Sequence, residues 1–409
     1  ARYMQGVGSF GTFNEFLHAR LGNSTWQVGA RAYHNHSDND FTFINRGIGK
    51  PGPQGHISYP LDTNENAAYT QRGALVEAYL RPATAGVLSL RWWGQQAGRT
   101  LPRATSYEGP DNANLNTQDG TDHKLVAGWK NYTGKGKLVL RTGYAHKSLH
   151  YELLNQVPGY GEMPAIYSQS RQQSLTGTGD YRYTVDSSLQ LRLSAQARWH
   201  DVRTADTVKH SGYQAQRSHY SFLAAVQKEV AGRLNLNLLL RADAYDAHWA
   251  PLTPYLGFDW KLAPGHDLLL KGNIARNYHP PSLNDLYWQP GGNPYLKPEQ
   301  GISYELGLEY QSRKGAHRWG AELTAYRSLM HNWILWVPSY KGYWEPRNVR
   351  RVRSEGFELH TDIKGAWGQW HYKALASYSL TSSVNLGDKQ TWGDEAYGKQ
   401  LVYIPLHSG

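Results

Sequence analysis

The chain has 409 residues, of which 40% are hydrophobic, and it contains no cysteine, which excludes disulfides, cysteine-based zinc sites and thiol catalysis. Lys and Arg outnumber Asp and Glu by 43 to 33, a formal net charge of +10, but the basic residues are dispersed, so we expect no nucleic-acid partner. No run reaches the roughly eighteen apolar residues that a transmembrane helix requires.

The aromatic residues are mostly those that carry a polar group. The chain has 15 Trp and 29 Tyr but only 8 Phe. Such side chains concentrate where one end is apolar and the other is wet, as at a membrane interface. Because sugar-binding proteins share this bias, the composition favours a membrane protein without deciding the matter.

Segments in which apolar and polar residues alternate follow one another along the chain. Short ones occur at residues 26–32 and 88–93, and the clearest run from Leu189 to His200 and from Leu234 to Tyr245. This alternation places one face of a strand in lipid or a core and the other in water. We predict about seventeen strands between Phe10 and His407, many of them longer than the strands of soluble sheets.

The connections between these strands alternate between tight turns and long polar segments. The tight turns carry Gly, Asn or Asp, the residues that turns favour, as at Gly22 to Ser24. Bacterial outer-membrane barrels are built in this way, with their long loops outside. We therefore predict an all-β fold, a transmembrane antiparallel β-barrel, with long loops at residues 34–68, 99–122, 153–168 and 277–302.

Two stretches in the last third of the chain resemble sequence boxes of TonB-dependent receptors. The segment from Tyr278 to Trp288 resembles the first box, except that Pro280 stands where the family has Ala. The second box, Asn-Pro-x-Leu-x-Pro-Glu, is matched at Asn293, Pro294, Leu296, Pro298 and Glu299. Further on, the segment from Trp344 to Leu359 is similar to the family's entry into a barrel strand.

The resemblance implies a barrel of about twenty-two strands with a plug inside it, driven by the inner-membrane partner TonB. We expect residues 1–409 to form the barrel domain, with the plug and the last strands absent from this chain. TonB would then be reached through the missing N-terminal segment. The resemblance also implies a Gram-negative outer membrane, contact with its lipid, a small-molecule ligand and, as in some relatives, a surface lipoprotein.

The segment around Glu345 to Val349 and the many Trp residues most resemble cobalamin-receptor-like members. The expected function is TonB-dependent import of a scarce nutrient, a cobalamin-like corrinoid. A ferric siderophore or haem receptor is the alternative within the family, and a passive porin or adhesin barrel is the alternative outside it. A soluble glycan-binding β-protein would lack apolar rows ending in Trp or Tyr. We find no catalytic constellation and expect no enzymatic activity.

The predicted ligand-binding residues lie in and around the two boxes. Tyr287 and Trp288 offer flat faces to a corrin ring, an aromatic siderophore or a sugar, and Asn293 and Tyr295 lie close to them in sequence. No His occurs from Ser282 to Gly292, so His279 is the nearest residue that could ligate haem. For Trp333 and Trp336 the sequence favours positions at the membrane interface.

Two acidic clusters are candidate calcium sites in extracellular loops, and we expect no other cofactor. Asp38 and Asp40 flank Asn39, and carboxylate and amide oxygens are the ligands that calcium prefers. A similar cluster comprises Asp111, Asn112, Asn114, Asp119 and Asp122. The alternative for both is a solvated loop whose Asp and Asn side chains form turns.

Overall fold

The computed structural model describes residues 1–83, 86–102, 115–157, 159–263, 267–387, 397–401 and 404–409. This part of the chain is almost entirely β-strand, with one 3-10 turn at Pro53–Gly55 and one short helix, α1 (Leu283–Tyr287). No helix in it is long and apolar enough to cross a membrane.

The strands, in chain order, are β1 (Arg2–Val7), β2 (Phe13–Gly22), β3 (Trp26–Ser37), β4 (Thr42–Ile44), β5 (Lys50–Pro51), β6 (Ile57–Ser58), β7 (Leu61–Thr63), β8 (Tyr69–Leu80), β9 (Val87–Leu101), β10 (Leu115–Thr133), β11 (Gly136–Val157), β12 (Gly161–Asp186), β13 (Leu189–Asp206), β14 (Ser211–Val230), β15 (Leu234–Tyr245), β16 (His248–Trp249), β17 (Thr253–Lys261), β18 (Asp267–His279), β19 (Glu299–Lys314), β20 (His317–Pro338), β21 (Trp344–Trp367), β22 (Trp370–Asn385) and β23 (His407–Ser408).

Nineteen of these strands belong to one large antiparallel sheet in the described part of the chain. Two of the nineteen, β16 and β23, are only two residues long, and β1 precedes Phe10, which leaves sixteen longer strands between Phe10 and His407, close to the predicted number of about seventeen. The remaining four form two small pairs, β4 with β7 and β5 with β6, inside the long connection from β3 to β8.

The chain divides into two compact units. The first contains residues 1–132, 138–179 and 197–217, and the second contains residues 133–137, 180–196 and 218–409. In the first unit, β1 pairs with β2, β2 with β3, β3 with β8, β8 with β9 and β9 with β10. In the second unit, strands from β14 to β23 form an equivalent series of antiparallel ladders between chain neighbours.

Two predicted loops differ from the structure. In the one at residues 99–122, residues 99–101 belong to β9 and residues 115–122 belong to β10, while residues 103–114 lie outside the described part of the chain. The expected long connection at residues 153–168 is a pair of strands, because β11 continues to Val157 and β12 begins at Gly161. Left-handed backbone at Gly159 and Gly161 confines the reversal to a tight turn. The polar residues on either side of this turn favour a loop in the sequence, although they are compatible with strands whose two faces both contact water.

An exposed apolar row crosses the strands of the second unit. Leu238 on β15 pairs with Val226 on one side and Leu256 on the other, and Leu256 pairs with Ile274 on β18. Leu238 is 52% exposed, and its row neighbours are similarly exposed. Only three hydrophobic residues of the described chain are buried, namely Ala244, Leu296 and Val352. Strand pairing and an apolar outer row, rather than a packed core, therefore organise this fold, as expected of a sheet that faces lipid.

We predict that Leu238→Arg is far more destabilising than Asn237→Arg, its neighbour on the opposite face of β15. A guanidinium on the lipid-facing row costs about 2–4 kcal/mol near the bilayer midplane, whereas the polar face accommodates it. The free energy of unfolding in urea, measured for protein inserted in lipid vesicles, tests this. Equal losses for the two variants would show that the Leu238 row does not face lipid.

Candidate functional site

The first box contains the helix α1, whose N-terminus is closed by a reciprocal cap. The Ser282 hydroxyl accepts a hydrogen bond from the Asp285 backbone N–H at 3.1 Å, and the Asp285 carboxylate accepts from the Ser282 backbone N–H at 2.9 Å. This exchange satisfies two backbone donors that would otherwise have no partner at the start of so short a helix.

A tryptophan of β20 attaches α1 to the hairpin formed by β20 and β21. The indole Nε1 of Trp336 donates to the second carboxylate oxygen of Asp285 at 2.9 Å. Trp336 is thus half-buried in a contact with α1, and the membrane-interface position that the sequence favours for it stays a prediction. The signal in the sequence was the Ser-x-x-Asp spacing, which predicts a capped helix but not the partner of its carboxylate.

The second box begins with a turn around Asn293. Its side-chain oxygen accepts from the Tyr295 backbone N–H at 3.0 Å, and its backbone N–H donates to the Asp285 carbonyl oxygen at 2.8 Å. Its amide nitrogen lies 3.4 Å from the carbonyl oxygen of Pro346, a residue of β21 that is fully buried. Asn293 therefore links α1, the box and β21.

Asn348 on β21 makes the densest set of contacts with the box. Its side-chain oxygen accepts from the Lys297 backbone N–H at 2.8 Å, and its amide nitrogen donates to the Lys297 carbonyl oxygen at 2.9 Å and to the Asn332 carbonyl oxygen at 2.7 Å. Asn332 has left-handed backbone, with φ +57°, and interrupts the pairing of β20 with β21. Its own amide donates to the Pro298 carbonyl oxygen at 3.2 Å.

Glu299 completes this attachment. Its carboxylate accepts from the backbone N–H of Ile334, just beyond the interruption, at 2.7 Å. Leu296 is only 8% exposed. We call Asn293, Leu296, Glu299, Asn332 and Asn348 the clip, because these residues fasten residues 293–299 to the hairpin. Asp285 and Asn332 were not singled out from the sequence, since their partners are remote in the chain.

The clip presents aromatic rings on the loop and on the hairpin. Tyr295 is 89% exposed and Tyr287 is also exposed, while Trp288 is half-buried at the end of α1. On the hairpin, Tyr340 is 89% exposed and Trp344 is exposed as well. We call Tyr287, Tyr295, Tyr340 and Trp344 the aromatic residues of the clip region.

The loop and the start of β21 approach each other closely at Gly291. A Cβ atom at Gly291 would lie 2.3 Å from the Trp344 carbonyl oxygen, and its φ of +118° also favours glycine. His279 is exposed at the end of β18, where it pairs with Glu299. The ligand-binding roles of His279, Tyr287, Trp288, Asn293 and Tyr295 remain predictions, although the Asn293 amide is already engaged in the clip.

The candidate calcium residues lie in the first unit. The Asp38 carboxylate is 3.3 Å from His36 Nε2, and Asp40 is exposed. Asn39 has left-handed backbone and donates through its amide to the Ala67 carbonyl oxygen at 3.2 Å, as in the turn alternative. Among the residues that the structure describes, no three His, Asp or Glu side chains converge on a point that a metal ion could occupy. Calcium binding at Asp38 and Asp40 remains a prediction.

The second acidic cluster is only partly described. Asp111, Asn112 and Asn114 lie outside the described residues, and Asp119 and Asp122 are on β10. The Asp122 carboxylate lies 2.8 Å from the Lys124 ammonium and 3.7 Å from that of Lys147.

We predict that Asn348→Leu loosens the clip without disrupting the strands. The substitution keeps the side-chain size but removes three hydrogen bonds, each contributing about 0.5–1.5 kcal/mol. Amide hydrogen exchange of residues 291–299 should accelerate by one to two orders of magnitude, while exchange in β19 stays slow. Tyr295→Ala, which truncates an exposed ring next to the clip, is the control and should leave these rates unchanged. Unchanged exchange in Asn348→Leu would contradict the clip.

Parts of the chain are similar to two curated vitamin B12 transporters, both called BtuB. The protein of Photobacterium profundum is 34% identical over 111 residues, which cover 24% of this chain and 17% of that protein. The protein of Vibrio vulnificus is 32% identical over 99 residues, which cover 24% of this chain and 16% of that protein. The matches thus span less than a fifth of the length of these relatives.

Several solved structures share the fold over most of this chain. The copper transporter OprC has a TM-score of 0.69 at 17% identity, with 93% of this chain and 60% of that chain covered. The siderophore receptor PirA from Acinetobacter baumannii has a TM-score of 0.67 at 16% identity, with 99% and 63% covered. The hemophore receptor HasR of Serratia marcescens has a TM-score of 0.65 at 14% identity, with 93% and 62% covered. At such identities the likeness concerns the fold alone.

The sequence model of the family described as "TonB dependent receptor-like, beta-barrel" matches residues 5–409. Proteins of this family are outer-membrane transporters of Gram-negative bacteria rather than enzymes, so the match confirms the predicted fold class, the predicted location and the prediction of no enzymatic activity. The chain belongs to the TonB-dependent receptor β-barrel family.

Proposed function

We propose that the protein imports a cobalamin-like corrinoid across the outer membrane, with energy delivered through TonB. The observation that carries the proposal is the clip, which holds exposed flat rings on a fixed loop and hairpin. Rings held by a rigid support bind a large planar ligand without the entropic cost of ordering a mobile loop. The local similarity to two vitamin B12 transporters supports the corrinoid as the ligand.

The exposed side chains suit a ligand that is planar and polar at its rim. Tyr and Trp combine an apolar ring face with a hydrogen-bonding group, so they contact the flat face of a macrocycle and its polar edge together. Tyr295 and Tyr340 are the most exposed of the four aromatic residues of the clip region. Lys341 adds a positive charge, 5.8 Å from the ring centre of Tyr340.

A ferric siderophore is the second candidate, because aromatic rings and Lys341 also suit an anionic chelate. The structural likeness to siderophore receptors such as PirA supports it no more than any other ligand, since identities of 14–16% concern the fold. Haem is less well supported. His279 is exposed at the end of β18, and its one described ladder partner is Glu299 of the clip rather than a second potential haem ligand.

We predict that Tyr295→Ala weakens the binding of cyanocobalamin about tenfold, because a lost ring contact contributes about 0.5–1.5 kcal/mol beyond the buried area. Tyr132→Ala, which removes an equally apolar exposed ring near the turn between β10 and β11, is the matched control and should bind as the wild type does. The dissociation constants are measured by equilibrium dialysis of the detergent-purified protein against cyanocobalamin, haemin and a ferric siderophore.

The three ligands separate the proposals. Saturable binding of cyanocobalamin alone supports corrinoid import, and binding of the ferric chelate or haemin alone replaces the corrinoid with that ligand. A protein that binds none of them and conducts ions as an open pore in planar bilayers would contradict energy-coupled import altogether.

A further inference from the structure

The outward face of the second unit changes from apolar to basic along strands β18 to β21. Ile274, a member of the exposed apolar row, pairs with Tyr304 on β19, Tyr304 pairs with Arg327 on β20, and Arg327 pairs with Glu355 on β21. Directly paired residues share a face of the sheet, and so do residues two positions apart on one strand. The register therefore identifies the outward positions of all four strands.

The outward positions remote from the long connection between β18 and β19 are apolar. Four leucines, one on each strand, pair directly across the sheet, namely Leu270, Leu308, Leu323 and Leu359.

Near the long connection the outward positions are basic. Arg276 pairs with Ile302 and Ile302 with Leu329, while Leu329 pairs with Arg353 and His331 with Arg351. We call the five basic residues of this outward surface the basic patch, namely Arg276, Arg327, His331, Arg351 and Arg353.

The basic patch lies at one edge of the apolar band. On β19, Ile302 is ten positions from Ser312, which pairs with the exposed Trp319. Ten residues of a strand with a rise of about 3.4 Å, tilted by about 40°, span about 26 Å, close to the apolar band of about 25 Å in outer-membrane barrels. The patch is therefore at the level of the lipid headgroups, on the side of the long connection, which is the outer side.

The two edges of this band differ in their chemistry. At the edge remote from the long connection, Trp319, Trp367 and Trp370 are exposed. Such residues form the aromatic belt at an uncharged interface. Arginines on the outward face are unfavourable inside the hydrocarbon but are tolerated where the guanidinium reaches the headgroups. The outer edge is thus suited to an anionic surface.

The positive charge of the patch is only partly compensated. The Glu355 carboxylate lies 3.3 Å from Arg327 Nε and 3.2 Å from Arg353 Nε, so one carboxylate is shared by two guanidinium groups. The Arg276 guanidinium donates to the side-chain oxygen of Gln300 at 3.4 Å, which is a neutral partner. One carboxylate balances at most one of the four arginines, and the excess positive charge attracts anions.

A pocket of about 560 Å³ indents the patch. Ile302 and Leu329 contribute its apolar part, and Arg276, Gln300 and His331 contribute polar groups. A guanidinium has five N–H donors, so Arg276 can donate to Gln300 and to an anion at the same time. The pocket therefore combines an anion-binding edge with an apolar surface that continues into the leucine row.

We propose that the basic patch binds the phosphate groups of an outer-leaflet lipid, whose acyl chains lie along the apolar positions of β18 to β21. Guanidinium groups bind phosphate through paired hydrogen bonds, which favours arginine over lysine at such a site. A soluble anion would use only the charges, whereas a lipid also covers the exposed Ile302 and Leu306 below them. The site lies on the outward face and goes beyond the import of a ligand.

The test measures lipid binding to the detergent-purified protein by native mass spectrometry. The two probes are diphosphorylated lipid A and the same lipid after enzymatic removal of its phosphates, which leaves the acyl chains unchanged. The wild type should bind the phosphorylated form at least about tenfold more tightly, because charge-assisted hydrogen bonds are lost with the phosphates. Equal binding of the two forms would overturn the proposal.

A pair of double variants locates the site. Arg276→Gln with Arg353→Gln removes two charges from the patch and should abolish the preference for the phosphorylated lipid. Arg313→Gln with Arg318→Gln removes the same charge from a directly paired position on the opposite face of β19 and β20, and should keep the preference. Circular dichroism and unfolding in detergent verify that both variants are folded. Loss of the preference in both variants would show an effect of overall charge and would contradict a local site.

Inorganic phosphate distinguishes a lipid from a free anion. In large excess over the lipid it should leave most of the phosphorylated lipid bound, because it cannot replace the contacts of the acyl chains. Complete displacement would overturn the proposal and replace the lipid site with a site for soluble anions. These measurements contain no corrinoid, so their result is independent of the proposed import function.

Discussion

Antiparallel pairing between strands that are neighbours in the chain is the interaction on which this structure depends. Lipid contains no water that could bind a backbone N–H or C=O group, so each strand must hydrogen-bond to its neighbours along its whole length. The long ladders from β18 to β22 do this with almost unbroken registers. Once the backbone is satisfied in this way, the outer face is free to be apolar, and the other face is free to carry Gln, Arg, Asp and Glu. Period-two alternation is thus the direct consequence of the environment, and a large buried core is unnecessary.

The need to give every backbone polar group a hydrogen-bond partner also explains the contacts made by the family's second box. Where the ladder of β20 and β21 is interrupted at Asn332, backbone groups lose their strand partners and need others. The Asn348 amide, the Glu299 carboxylate and the Asn332 amide supply these partners to Asn332, Ile334, Lys297 and Pro298. The box motif is therefore a device for attaching a long loop to a hairpin. Its motif residues fasten the loop to the hairpin, and exposed aromatic rings lie beside them.

Much of the fold was predictable from the sequence, because alternation is a local signal. Leu234 to Tyr245 is strand β15 with the predicted bounds, and Leu189 begins β13 as predicted, although that strand continues to Asp206. The sequence predicts a loop at residues 153–168, where the structure has two strands. A strand with water on both faces has no apolar row that would identify it as a strand. The contact of Trp336 with Asp285, and the roles of Asn332 and Asn348, depend on residues 16 to 51 positions apart. No local pattern encodes such pairings, so the clip region was recognisable only as a motif.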